Sequence, residues 1–120
     1  MSANLTIHIG RLGKDPEIRY TQTGTPICNF SIAVDDSYKK DGKKIEKTEW
    51  INIVCFGKLA EIAGEYCRKG TLVYIEGSFH TREWEDKEGN KRTTAEIRVN
   101  KLQMLGGKGE GEAEAAKRRG

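Results

Sequence analysis

The sequence predicts an all-β protein, a small barrel of five strands with one short α-helix between the third and the fourth. Apolar and polar residues alternate with a period of two along five segments, whereas apolar residues recur at helical spacing in one segment. With 120 residues, 36% hydrophobic and 32% charged, the chain can build one modest core but has no apolar run of the roughly 18 residues that span a membrane. We therefore expect a single domain and no membrane partner.

The first two strands are predicted within the first 35 residues. Alternation begins in "LTIHIGRL", stops at Gly13 and Pro16, and resumes in "EIRY", which predicts one strand with a break. The exposed edge of this strand would carry Leu5, Ile7 and Ile9. After the turn "TQTGTP", the alternating segment "PICNFSIAV" predicts the second strand.

A basic segment, "YKKDGKKIEK", comes next and carries lysines on both sides of a Lys-Asp-Gly turn. This pattern predicts a basic hairpin arm, although such a lysine cluster is also typical of a solvated loop. The lysines are Lys39, Lys40, Lys43, Lys44 and Lys47.

The third strand, "TEWINIVCF" at residues 48–56, carries large side chains on both faces. With a period of two, Ile51, Ile53 and Cys55 form a core stripe, while Trp50 and Phe56 face the opposite way. Two aromatic rings are therefore predicted on the side that faces away from the core.

The helix and the fourth strand follow. Helical spacing in "KLAEIAGEYC" ends at "RKG". The long strand "TLVYIEGSFHTREW" contains Gly77, where we expect a bulge or bend. Its alternation predicts Val73, Ile75 and Phe79 in the core. The side chains predicted to project from its opposite face are those of His80, Arg82 and Trp84.

A charged turn, "EDKEGNK", separates this strand from the fifth, "RTTAEIRVNKLQML". The apolar pattern then stops. We expect residues 1–105 to form the domain and residues 106–120, rich in glycine and charge, to form a flexible, disordered tail.

The order of these elements is that of an OB-fold, whose second and third strands form a binding face. Aromatic rings beside cations on such a face are typical of proteins that bind single-stranded nucleic acid, because bases stack on the rings while cations contact phosphates. The aromatic candidates are Trp50, Phe56 and Trp84. The basic candidates are Arg19, Lys58, Arg68, Lys69 and Arg82, together with the lysines of the arm, and His80 is ambiguous.

The same residues bear on three other classes of function. An enzyme would need a nucleophile with a base, a metal cluster or a phosphate-binding loop, and the sequence has none of these motifs. An RNA-binding OB-fold module of the cold-shock type remains an alternative. So does a structural or oligosaccharide-binding OB-fold, in which the tryptophans would contact sugars or subunits.

The cysteines predict neither a disulfide framework nor a zinc site. Cys28, Cys55 and Cys67 are odd in number and form no CxxC motif. We expect no metal and no cofactor. The start "MSANLTIHIG" has no secretory signal, which favours a cytoplasmic location.

Several stretches resemble bacterial single-stranded DNA-binding proteins of replication, recombination and repair. They are "GRLGKDPEIRYTQTGTPICNFSIAV", "TEWINIVCFGKLAEIAGEYCRKGTLVYIEG" and "TREW" followed by "LQMLGG". The resemblance covers residues 4–107. It implies an OB-fold homotetramer, in the bacterial cytoplasm at the nucleoid, that wraps single-stranded DNA without sequence preference.

The resemblance also implies roles for particular residues. The stacking aromatics of the family fall on Trp50, Phe56 and Trp84, and on Tyr38, where the family often has tryptophan. Its basic contacts fall on Lys58, Lys69 and Arg82. His80 stands where an arginine is often found, and histidine is mostly uncharged at neutral pH.

The end of the chain differs from that of the family. Residues 106–120 contain three glutamates and four basic residues and end "AAKRRG", whereas the family usually ends in an acidic, hydrophobic tip that docks partner proteins. We therefore expect docking of replication and repair proteins to be weak or absent.

Overall fold

The computed structural model describes residues 1–107, which form eight strands and one helix. The elements are β1 (Thr6–Leu12), β2 (Glu17–Tyr20), β3 (Pro26–Asp35), β4 (Tyr38–Lys40), β5 (Lys43–Ile45), β6 (Thr48–Phe56), α1 (Lys58–Tyr66), β7 (Leu72–Glu85) and β8 (Lys91–Gly106). The strand β8 therefore includes the first residue of the predicted tail. Residues 108–120 of that tail lie outside the described residues.

Five of the strands close into a barrel. The sheet runs β1-β7-β8-β6-β3-β2, and β1 also pairs with β3. Neighbouring strands are antiparallel except β6 and β8, which are parallel with Ile53 opposite Ile97. The five barrel strands, β1, β3, β6, β7 and β8, correspond to the five predicted from the sequence, except that β1 covers only the first part of the predicted first strand. The helix α1 lies between the third and the fourth of them, as expected.

The predicted first strand is in fact two strands, β1 and β2. β2 pairs with β3, from Glu17 opposite Asn29 to Tyr20 opposite Pro26. β1 instead pairs mainly with β7 and reaches β3 only at Arg11 and Leu12. The residues between them, 13–16, form a loop that we call the β1–β2 loop.

Alternate residues of the barrel strands fill the core. Ile32, Ile53, Val73 and Ile75 are fully buried, and removing their apolar surface from water is the main stabilising contribution to such a fold. The helix α1 packs against β3, β6 and β2 and buries Ala60 and Ala63.

The strand β7 departs from the predicted pattern at Phe79, which is 48% exposed rather than in the core. The pairing of β1 with β7 ends at Thr6 opposite Gly77. Within the described chain, no strand therefore flanks Phe79 on that side, although its backbone N–H donates to Asn4 Oδ1 at 2.8 Å. The irregularity expected at Gly77 is present as a register shift against β8.

The predicted basic arm is a hairpin of β4 and β5. Its turn is Asp41–Gly42, with φ angles of 53° and 77°, which is the left-handed conformation that Asp-Gly favours in two-residue hairpin turns. Lys39 lies opposite Lys44, and Lys40 lies opposite Lys43.

Candidate functional site

Polar and aromatic side chains share one side of the barrel, which we call the outer face. Directly paired residues of neighbouring strands point to the same side of a sheet, so the pairings of β2, β3, β6, β7 and β8 define this face. Its main side chains are Arg19, Asn29, Ser31, Trp50, Asn52, Phe56, His80, Arg82, Trp84, Thr94, Glu96 and Arg98.

A cleft of about 680 Å³ crosses the outer face. Its walls come from the β1–β2 loop, from β3 and β6, and from the hairpin of β7 and β8. Trp50 and Arg82, which are far apart in sequence, both line it. A cleft of this volume is in the range of ligand-binding sites.

The aromatic rings of β6 are available to a ligand. Trp50 is 59% exposed and Phe56 is 44% exposed, while Ile53 and Cys55 of the same strand are buried. The period of two therefore places the two rings away from the core, as the sequence predicts.

A chain of side-chain hydrogen bonds holds the floor of the cleft. Ser31 Oγ donates to Asn52 Oδ1 at 3.2 Å, and Asn52 Nδ2 donates to the backbone oxygen of Ala95 at 3.2 Å. These bonds join β3, β6 and β8 beside Trp50. Asn52 was not among the site residues predicted from the sequence, although its position between Trp50 and Phe56 on the outer side of β6 indicates that it shares their face.

Trp84 is fixed by a hydrogen bond at the other side of the site. Its Nε1 donates to Thr94 Oγ1 at 2.8 Å, and Thr94 lines the cleft. The indole nevertheless remains 42% exposed. Its orientation is thus set by the β7–β8 hairpin, and its ring surface is still open to solvent.

Arg82 lies beside a buried carboxylate that was not predicted from the sequence as a site residue. Glu96 is 7% exposed, and its Oε1 accepts from Arg82 Nε at 3.2 Å, while Oε2 lies 3.9 Å from Arg98 Nε. A buried charge needs such partners. The half-exposed guanidinium of Arg82 is therefore tethered through Nε at the wall of the cleft. Alternation around the buried Ile97 was the signal that places Glu96 on this face.

A second group of predicted residues lies at the end of β6. Ile27 of β3 pairs with Arg19 of β2 on one side and with Phe56 of β6 on the other. Arg19 and Phe56 are therefore on the same face, with one strand between them. The exposed Lys58 follows Phe56 closely, at the first position of α1.

The remaining predicted residues lie at the edges of the site or outside it. Tyr38 is exposed on the arm, and Lys69 is held at the β1–β2 loop because its backbone N–H donates to Asp15 Oδ1 at 2.8 Å. His80 Nε2 lies 2.8 Å from Ser78 Oγ and opposite Glu96 in the sheet. Arg68 Nη1 donates to the backbone oxygens of Gly64 and Cys67 at the end of α1 and does not line the cleft.

The part of the chain that the structure describes contains neither a metal-binding cluster nor a membrane-spanning helix. Residues 1–107 contain no group of three or more His, Cys, Asp or Glu side chains that could hold a metal ion. No helix within the same range is long and apolar enough to cross a membrane.

Comparison with known families and structures gives one consistent result. The model of the "Single-strand binding protein family" matches residues 3–105. A solved structure, "Plasmodium falciparum SSB complex with ssDNA", superposes with a TM-score of 0.78 at 31% identity, covering 87% of this chain and 94% of that one. With the closed five-stranded barrel, this likeness confirms the predicted OB-fold.

Curated relatives are similar over most of the chain. The "Single-stranded DNA-binding protein" of Neisseria meningitidis, in serogroup A and B strains, is 49% identical over 111 residues, which cover 92% of this chain and 64% of the relative. The "Single-stranded DNA-binding protein 1" of Xylella fastidiosa is 56% identical over 102 residues, covering 83% of this chain and 75% of the relative. This chain thus spans about two thirds of the length of the Neisseria proteins.

Proposed function

The chain belongs to the single-strand binding protein family, and we propose that it binds single-stranded DNA without sequence preference and protects it during replication, recombination and repair. One observation carries this proposal. The partly exposed Trp50 lines the cleft together with Arg82, and the partly exposed Trp84, from a different strand, is hydrogen-bonded to Thr94 in the cleft wall. The same ligand is supported by the names of the relatives and by the similar structure, which is a complex with ssDNA.

In the proposed mechanism, bases stack on the rings of Trp50, Phe56 and Trp84, and on Tyr38 of the arm. Stacking on an aromatic ring contributes about 1 to 3 kcal/mol per base and tolerates any sequence, because every base has a π-face. The fixed orientation of Trp84 reduces the conformational entropy that binding would otherwise cost.

Cations around these rings contact the phosphates. Arg82 offers its guanidinium at the wall of the cleft, and Arg19 and Lys58 lie beside Phe56. Lys69 stands at the β1–β2 loop, and the arm extends the basic surface. His80 and Arg68 contribute less, because His80 bonds Ser78 and Arg68 is engaged at the end of α1. Such contacts release counterions and make the affinity depend on salt.

The protein acts by binding rather than by catalysis, and we propose a homotetramer in the bacterial cytoplasm at the nucleoid. Assembly is supported by the exposed apolar side chains of Ile7 and Ile9 on β1 and of Leu5 just before it, since such patches mark subunit interfaces. An RNA-binding OB-fold module is the competing function, but the relatives named above favour DNA.

The test removes the stacking rings one at a time. We expect Trp50→Ala and Trp84→Ala each to weaken binding of fluorescein-labelled oligo-dT by about five- to 150-fold, the equivalent of one lost base stack. Fluorescence anisotropy measures the affinity, and urea denaturation checks the fold. Tyr66→Ala is the matched control, since Tyr66 is an exposed aromatic residue of α1 that does not line the cleft.

Two results would contradict the proposal. One is unchanged affinity in both tryptophan variants while the unmodified protein binds oligo-dT. The other is tighter binding to oligo-rU than to oligo-dT of equal length in direct competition, which would favour the RNA-binding function, because an RNA-binding site gains contacts to the 2′-hydroxyl.

A further inference from the structure

The indole of Trp50 packs against the backbone of the β1–β2 loop at Gly13. An ideal Cβ added to Gly13 would lie 2.4 Å from Cζ3 and 2.9 Å from Cη2 of Trp50. Heavy atoms without a bond between them do not approach so closely. The six-membered part of the indole therefore occupies the space that any other residue at position 13 would need.

The backbone conformation gives no separate reason for glycine here. Among residues 1–107, the glycines with positive φ are Gly24, Gly42, Gly57, Gly70 and Gly89, and Gly13 does not belong to this group. The φ angle of Gly13 is therefore not one that L side chains avoid. Glycine is required at position 13 because the Trp50 ring occupies the space where a Cβ would be.

The loop at Gly13 is itself held in place on two sides. The backbone N–H of Gly13 donates to the oxygen of Ser31 on β3 at 3.1 Å. The preceding residue, Leu12, makes two backbone hydrogen bonds: its oxygen accepts from the N–H of Gly70 at 2.8 Å, and its own N–H donates to the oxygen of Thr71 at 3.0 Å. The loop cannot easily retreat, so an added Cβ would have to displace the indole.

We propose that Gly13 is a positioning residue of the single-stranded DNA site: it lets the Trp50 ring dock on the β1–β2 loop and so sets the plane on which a base stacks. The inference rests on the stacking role proposed for Trp50. Both residues line the cleft, and the docked ring is still 59% exposed. A ring that is already oriented loses less conformational freedom when a base binds.

The experiment is a double-mutant cycle between positions 13 and 50. It uses Gly13→Ala, Trp50→Phe and the two changes together, because phenylalanine lacks the Cζ3 and Cη2 carbons of the indole. Gly64→Ala is the matched control: it lies on α1 outside the cleft, and its added Cβ would meet Ile18 Cδ1 at 3.2 Å. Anisotropy with labelled oligo-dT measures affinity, near-ultraviolet circular dichroism reports the indole environment without DNA, and urea denaturation reports the fold.

We expect Gly13→Ala to weaken binding about tenfold, on the scale of one base stack, and to change the near-ultraviolet spectrum. In the W50F background the same change should alter affinity less than about twofold, a difference that measures the coupling of the two positions. Gly64→Ala should bind as the unmodified protein does.

Other outcomes would overturn the inference, and each can be told apart from a failure of the proposed function. Unchanged affinity in Gly13→Ala, with Trp50→Ala still weakened, rejects the positioning role alone. An equal loss in both backgrounds shows that Gly13 acts without the indole. If Gly13→Ala does not fold, a folded double variant supports the packing argument, and an unfolded one rejects it. Failure of the unmodified protein to bind oligo-dT rejects the proposed function itself.

Discussion

The three cysteine side chains lie inside the protein and have no exposed surface. Cys28 of β3 and Cys55 of β6 are direct partners in the sheet. Burial raises the pKa of Cys28 to about 11 and that of Cys55 to about 12, because a thiolate is poorly solvated in an apolar core, and neighbouring cysteines add to the effect. These residues therefore act as small apolar core side chains, as their positions in apolar strands predict.

The raised thiol pKa values make stability depend on pH in the alkaline range. The unfolded chain loses thiol protons near pH 8.5, before the folded chain does. The stabilising contribution is therefore complete below that pH and is lost as pH rises toward the folded values. We expect the free energy of unfolding to fall by about 2 kcal/mol per thiol between pH 8 and pH 10.

Urea denaturation at several pH values measures this effect, and the variant Cys28→Ala/Cys55→Ala is the control. That variant is less stable at every pH, since it leaves cavities, but its stability should change less between pH 8 and pH 10. Equal pH slopes for the two proteins, or rapid reaction of the native thiols with Ellman's reagent at pH 8, would show that the thiols are not protected.

The hairpin of β4 and β5 is unusual as an element because its cross-strand pairs carry like charges. Lys39 faces Lys44, and Lys40 faces Lys43, and like charges in directly opposed positions destabilise a hairpin. A polyanion laid along the arm would remove this repulsion. The pairing therefore supports the arm as a phosphate-binding element rather than a merely solvated loop.

The prediction for this element concerns the salt dependence of binding. Lys44→Gln should weaken oligo-dT binding at low salt and reduce the slope of log affinity against log salt by about 0.7, the value for one lost phosphate contact on a single strand. Lys101→Gln makes the same change in charge on β8, near the Tyr74 ring, and should leave the slope unchanged. An unaltered slope in Lys44→Gln would remove the arm from the proposed binding surface.

At the scale of the whole molecule, the barrel leaves an apolar strip uncovered. Leu5, Ile7 and Ile9 are each at least half exposed, in contrast to the buried alternate positions of the neighbouring strand β7. Exposed apolar residues in a row on a strand favour association with another chain. This strip is where we expect the subunits of the proposed homotetramer to meet.

We expect the protein to sediment at micromolar concentration with four times the 13.5 kDa mass of the chain. Ile7→Asp combined with Ile9→Asp should produce a smaller species, because a carboxylate buried in an apolar interface is strongly unfavourable. Ile45→Asp is the control, as Ile45 is an exposed isoleucine of the arm. A monomer in the unmodified protein, or a tetramer that persists in the double variant, would contradict the proposed assembly.

The local pattern of the sequence was sufficient to predict the elements and the faces of most strands. Ile53 and Cys55 are buried while Trp50 and Phe56 are exposed, because the period of two is a property of the extended backbone itself. The hairpin turn at Asp41–Gly42 was likewise readable, since its dihedral angles suit that residue pair. These features depend on neighbours within a few residues.

The tertiary structure decided what depends on contacts between distant segments. Closure of the barrel separates β1 from β2. It also ends the pairing of β1 with β7 before Phe79, which leaves that side chain exposed. The same closure places Arg82 beside Glu96 and the ring of Trp50 against Gly13. Alternation assigns a side chain to one face of its own strand. Which other strand lies beside that side chain, and which atoms fill the space between the two, depends on how the whole sheet closes.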